Sequence, residues 1–227
     1  MSKLRINNFV VVIVLALCFS VSFSGCGKKA EPPMKEVPAE DVKSTPVPSD
    51  KPITEERTFY DFETSLQGWE IPAWAESKSD YLAKSIVMSD EVASKGTKSL
   101  KMDVDFTGTA WNAGLAEIQQ YLDISAYRVL SVDIFLPKEA PEGLKAKLII
   151  TVGNTWKFVE MNQDIPLIPG EWVTITASVE PGSYSWKRVV PDDEFARDIR
   201  KIAVRIVSNN KPAYTGPIYI DNVRVGR

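Results

Sequence analysis

The side chains with most capacity for recognition chemistry are aromatic: six Trp, seven Tyr and nine Phe in 227 residues. Trp111 lies in Gly108-Thr109-Ala110-Trp111-Asn112-Ala113-Gly114, where small and polar neighbours offer a large ring little local burial. Trp74 lies in Pro72-Ala73-Trp74-Ala75-Glu76, Trp156 follows Gly153-Asn154-Thr155, and Trp186 sits in Ser183-Tyr184-Ser185-Trp186-Lys187. All three settings read as loops. Sugars present an apolar ring face and a hydroxyl rim, so flat aromatic rings beside amide and charged groups form a platform for them. Asn112, Glu117, Gln119, Lys157 and Glu160 are the hydrogen-bonding neighbours this reading recruits. The alternative for each ring is packing beneath its own loop. Trp69, directly after Gly68, and Trp172, directly after Pro169-Gly170-Glu171, are expected in the core.

Carboxylates offer a second chemistry. Glu63 and Asp221 stand near opposite ends of the folded part, on what should be neighbouring terminal strands. Two such acids could share a hard cation, since Ca²⁺ takes six to eight oxygens; otherwise they are strand-edge charges paired with Lys101 or Arg224. Asp103 with Asp105, or Asp192 with Asp193, could be paired acids of a glycosidase or lyase. Acids two apart on an exposed strand face are ordinarily solvated charges, however. Histidine is absent, which removes His triads, His zinc sites and the usual base near neutrality. Both cysteines, Cys18 and Cys26, precede the folded part, so it holds no disulfide, zinc–thiolate site or cysteine nucleophile. With 27 Lys+Arg against 30 Asp+Glu, no basic excess exists to neutralise nucleic-acid phosphates. These exclusions favour a binding module over an enzyme, with a protein-binding assembly or adhesion module as the rival.

Such a module needs an address and a support. Lys3 and Arg5 precede an apolar run from Phe9 to Phe23, too short to span a bilayer but suited to a secretory signal. The run ends in Phe23-Ser24-Gly25-Cys26, which resembles the lipobox of bacterial lipoproteins. The resemblance implies removal of residues 1–25 and lipidation of Cys26, with several acyl chains giving stable membrane anchoring. Gly27, rather than Asp, after Cys26 implies outer-membrane attachment. Residues 26–56 hold Pro32, Pro33, Pro38, Pro46, Pro48 and Pro52 among mixed Lys, Glu and Asp, with no aromatic residue. That composition cannot offset its ordering entropy and reads as a disordered tether.

From residue 57 the pattern has period two. Leu100, Met102, Val104 and Phe106 alternate with Lys101, Asp103 and Asp105, as in a half-buried strand. Similar runs cover 129–136, 145–152, 172–179, 201–207 and 218–225, separated by Gly, Pro and Asn turns. The pattern predicts an all-β sandwich of about nine to eleven strands. One short helix is expected near Asp192–Ile199, where Phe195 and Ile199 form an i, i+4 apolar pair.

Four segments then carry a resemblance. Tyr60-Asp61-Phe62-Glu63 with Leu66-Gln67-Gly68-Trp69 opens the domain, and Ser94-Lys95-Gly96-Thr97-Lys98-Ser99-Leu100-Lys101 follows. Pro169-Gly170-Glu171-Trp172 and the closing Gly216-Pro217-Ile218-Tyr219-Ile220-Asp221-Asn222-Val223 complete the order. Together they resemble calcium-dependent carbohydrate-binding modules with the galactose-binding-like jelly roll, over about residues 57–227. Trp74, Trp111 and Trp156 are spaced much as in mannan-binding members. The resemblance implies a structural Ca²⁺ held by the Asp61 carbonyl, the Glu63 and Asp221 carboxylates, and carbonyls near Lys95 and Lys98. It also implies a monomeric, non-catalytic module that takes a polysaccharide, mannan or glucan first, and no nucleic acid.

Overall fold

The computed structural model describes residues 52–227. The expected signal segment, Cys26 and nearly all of the tether lie outside the described residues.

Eleven strands and one helical turn make up the described elements. One sheet is ordered β2 (Ala83–Ser89), β3 (Ser99–Thr107), β11 (Ala213–Gly226), β5 (Val129–Phe135), β9 (Trp172–Ser178), with β1 (Glu56–Tyr60) paired to β11. The other is ordered β4 (Ala113–Leu122), β10 (Ile199–Val207), β6 (Lys145–Val152), β7 (Lys157–Glu160), with β8 (Ile165–Pro166) paired to β6. All these pairings are antiparallel. The all-β sandwich is the architecture that the period-two pattern predicts.

Alternation fills the space between the sheets. Leu100, Met102, Val104 and Phe106 of β3 face Leu148 and Ile150 of β6 and Ile202, Val204 and Ile206 of β10 in one buried cluster. Trp69 joins it as expected, 2% exposed and edge-on to Tyr60 and Phe62. A second, small cluster of Leu115, Ile149 and Ala203 is packed with Tyr81 and lies apart from this core. Because strand neighbours alternate sides, it marks the outer face of the β4-β10-β6-β7 sheet.

Three expectations are corrected. The helix near Asp192–Ile199 is absent: single hydrogen bonds from Phe195 N to Asp192 O and Arg197 N to Glu194 O make turns, and Ile199 already begins β10. The apolar pair is buried by the sandwich instead of along a helix. The helical turn α1 (Ala73–Glu76) lies elsewhere, started by the extended residue Pro72. Trp172 is not core. Val173, Ile175 and Ala177 point inward, so Trp172 stands on the outer face with Thr174 and Thr176, against Phe135 at 5.4 Å. Trp186, expected as a binding ring, is 3% exposed and donates its Nε1 proton to Ser178 O at 2.7 Å. A β-bridge to Met161 and contact with Phe195 fold that loop inward.

Candidate functional site

The outer face of the β4-β10-β6-β7 sheet is built in rows by strand register. Leu115 stands beside Arg205 and Lys147; Glu117 beside Ala203, Ile149 and Glu160; Gln119 beside Lys201, Thr151 and Phe158. A short apolar strip is thus bordered by charged and amide groups. The charges are tied together. Lys201 Nζ donates to Glu117 Oε1 at 2.6 Å, Arg205 Nη2 to Glu160 Oε2 at 2.6 Å, and Lys187 Nζ to Glu160 Oε1 at 2.8 Å. Lys147, almost buried, lies 2.7 Å from Asp164. Burial works to raise Glu160, but the Lys187 bond and the Arg205 and Lys147 charges win and hold it below the usual carboxylate range. It therefore stays an anionic hydrogen-bond acceptor near neutrality.

Aromatic rings stand at both ends of this floor. At the β4 start, Trp74, Tyr81 and Trp111 form a chain of edge-to-face contacts, with centroids 5.1 and 5.8 Å apart. The segment carrying Trp74 and Tyr81 is fastened along β4 by bridges of Glu70 to Glu117 and Tyr81 to Ala113. Lys78 lies over Trp74 at 5.2 Å, and Arg205 over Trp111 at 5.8 Å. At the β4 end, Tyr121 meets Trp156 at 6.2 Å, and Arg200 lies over both rings. Trp74, Trp156, Phe158 and Tyr121 are 39%, 40%, 56% and 61% exposed. The six residue steps along β4 from Leu115 to Tyr121 correspond to roughly 20 Å at the rise of an antiparallel strand.

The structure therefore brings Trp74, Trp111, Trp156, Glu117, Gln119 and Glu160 to one face. It does not bring Asn112 there as a free amide: Asn112 is 3% exposed, and its Oδ1 accepts the Thr107 amide and hydroxyl, both at 2.9 Å. Its role is to close the turn that carries Trp111. Lys157 pairs with Val152, out of phase with Phe158 and Glu160. Sequence reasoning missed Tyr81, Tyr121, Phe158, Arg200 and Arg205. Tyr121 was within reach, because it continues the Leu115, Glu117, Gln119 alternation.

The acids considered for catalysis lie elsewhere. Asp103 accepts the Ser85 hydroxyl and Asp105 the Thr215 hydroxyl, both on the other sheet. Asp192 accepts the Glu194 amide within its turn.

The expected cation ligands gather around the 94–98 loop. Asp221 Oδ2 accepts the Ser94 and Lys95 amides at 2.7 and 3.0 Å, and Oδ1 accepts the Asn222 amide. Glu63 Oε1 accepts the Thr97 and Lys98 amides, and Oε2 the Thr97 hydroxyl. Asp61 Oδ1 accepts the Glu63 amide at 3.3 Å. The loop reaches Glu63 so closely that a Cβ on Gly96 would stand 2.3 Å from Oε1. A break in β11 register at Asp221–Arg224, with Asn222 at φ 49°, turns the Asp221 carboxylate inward. There it is fully buried, with no Lys or Arg partner among the described residues, whereas nearby Asp133 pairs with Arg224. Burial, against the three amide bonds, pushes Asp221 above its ordinary value, and the Asp133 charge adds to the rise. Each carboxylate thus has one oxygen saturated by two amides and one with a spare lone pair. That donor set fits part of a calcium shell. No group of three or more acid, His or Cys side chains gathers among the described residues, so backbone carbonyls and water would complete it.

A two-sheet antiparallel sandwich is also the fold of the solved carbohydrate-binding modules to which this chain is similar. The chain belongs to the family described as mannanase, galactose-binding domain-like, whose pattern matches residues 60–222. Among solved structures it is similar to a Caldicellulosiruptor saccharolyticus family 27 carbohydrate-binding module in complex with mannohexaose. Identity is 19% and TM-score 0.54, over 75% of this chain and 96% of that one. It is also similar to a family 28 module specific for non-crystalline cellulose, at 14% identity and TM-score 0.53, over 73% and 92% of the two chains. At these identities the likeness establishes the fold. Comparison with curated protein sequences finds no match.

Proposed function

We propose that this protein is a non-catalytic polysaccharide-binding module that stacks sugar rings on Trp74, Trp111 and Trp156 and orients them with Glu117, Gln119 and Glu160. The observation that carries this reading is convergence: three tryptophans far apart in sequence reach one open face, at both ends of a hydrogen-bonding floor. Rings at the two ends suit a linear chain of several sugars rather than a single residue. Glu160, held anionic by its cations, suits accepting hydroxyl bonds rather than donating a proton to a leaving group. Family membership and the mannohexaose-bound neighbour make β-mannan the first ligand to test and β-glucan the second. Affinity electrophoresis of the protein through mannans, glucans, xylans and pectins tests the proposal. Retardation by mannan or glucan is expected; no retardation in any gel overturns it in favour of a protein-binding module.

Calcium belongs to the same proposal as a structural ion. A buried Asp221 with no cationic partner among the described residues supports it, and Glu63 Oε2 and Asp221 Oδ1 would ligate it. Its contribution would be to close the 94–98 loop. Lipid anchoring at Cys26, at the outer membrane, rests on the sequence alone. Cys26→Ser should move the protein from the membrane fraction to the soluble fraction, and equal membrane association of the variant would contradict it.

A further inference from the structure

Trp156 occupies an awkward place for a recognition platform. It ends a tight turn between β6 and β7 with φ 54°, and 40% of it is exposed. A ring on such a turn would rotate freely unless something held it. Two residues at the entry to β10, Asp198 and Arg200, do. The Gly153 amide that begins the turn donates to Asp198 O at 2.9 Å, fastening the turn backbone to the segment entering β10. The Asp198 carboxylate accepts Arg200 Nε at 3.1 and 3.2 Å and Nη2 at 2.9 Å. Arg200 occupies the extra position where β10 slips register between Ile199 and Lys201. Its guanidinium carbon lies 5.1 Å from the Trp156 ring centroid and 5.3 Å from that of Tyr121.

We infer that Arg200, clamped by Asp198, is the positioning residue of this platform: it covers one face of Tyr121 and of Trp156 and leaves the other for a sugar. The guanidinium is planar, permanently charged and oriented by a two-pronged carboxylate contact. Held within cation–π distance of two rings at once, it fixes their angle before ligand arrives, so less ordering entropy is lost on binding. Asp198 serves twice, its carbonyl holding the turn and its carboxylate holding the arginine. Among the described residues, Arg200 Nη1 has no hydrogen-bonded acceptor and remains available to a ligand hydroxyl. This inference rests on the proposed glycan-binding face, and it assigns that face an internal support.

The experiment uses full-length protein in detergent, labelled with 5-fluorotryptophan, with the Trp156 ¹⁹F resonance assigned by its loss in Trp156→Phe. Without ligand, Arg200→Met and Asp198→Asn should each move or broaden the Trp156 resonance and leave those of Trp74 and Trp111 in place. The same variants should weaken mannan binding about fivefold, the scale of one lost cation–π contact. Arg200→Lys, which keeps the charge but loses the fork, should restore neither signal nor affinity. An unmoved Trp156 resonance in Arg200→Met overturns the inference, and so does unchanged affinity when Trp156→Ala abolishes binding; the face reading survives both results. If Trp156→Ala itself leaves affinity unchanged, the face reading falls, and the platform role of Arg200 falls with it.

Discussion

Tyr121 and Trp156 meet nearly edge to face, with centroids 6.2 Å apart and planes at 78°, although one lies near the end of β4 and the other in the turn after β6. Their meeting depends on β10, which pairs with both strands and brings Leu122 and Val152 level with Ile199. An arrangement set by sheet order brings the two rings together before any ligand arrives, as a stacking platform requires.

Trp111→Ala and Trp156→Ala should each weaken polysaccharide binding about tenfold or more. Stacking on one ring is worth about 1–3 kcal/mol, by analogy with base–aromatic stacking. The melting temperature should stay nearly unchanged, because neither ring belongs to the buried cluster. Titration calorimetry and thermal melts on the same samples check this, and unfolding of either variant would count that ring as core.

Trp186→Ala should behave in the opposite way. It empties a buried site against Phe195 and leaves Ser178 O without its indole partner. A loss of about 3–5 kcal/mol in chemical denaturation is expected, with affinity retained by the folded fraction.

Chelation should lower the melting temperature, and Ca²⁺ should restore it where Mg²⁺ does not. Asp221→Ala should abolish that response, since it removes the buried carboxylate the ion would neutralise. A melting curve indifferent to chelator would show that the amide bonds to Asp221 and Glu63 close the loop unaided.

Acid should unfold the protein progressively below about pH 4.5. Burial opposes the lowering of Glu160 and Asp133, but cationic and hydroxyl or amide partners hold both down in the folded state. A folded value below the unfolded one contributes stability that is full above the ordinary value and lost as pH falls through the folded value. Asp221 acts with opposite sign: its raised value favours the folded state at low pH and costs stability as pH rises through it. Without calcium, Glu160→Gln should therefore flatten the acid limb of a stability–pH profile. A slope equal to wild type would contradict the assignment.

Much of this was legible in residue order, for physical reasons. Period-two alternation survives in strands with one wet face, so β3, β5, β6, β9, β10 and most of β11 declare themselves, and Trp69 follows its turn into the core. Trp172 shows the same rule prevailing over turn context: its phase with Thr174 and Thr176 puts it outside. Trp186 had no such signal, because its burial depends on a bridge to Met161, 25 residues away in sequence. Arg200 and Arg205 were hidden for a related reason. What each cation does depends on which ring another strand places beneath it.

The central claim is that one sheet face, through its tryptophans, binds a polysaccharide chain. Titration of mannohexaose into wild type and into the Trp74→Ala, Trp111→Ala, Trp156→Ala triple variant tests it most directly. Saturable binding to wild type with quenched tryptophan fluorescence is expected, together with no measurable heat from a triple variant that melts like wild type. Equal binding by the two proteins would contradict the account.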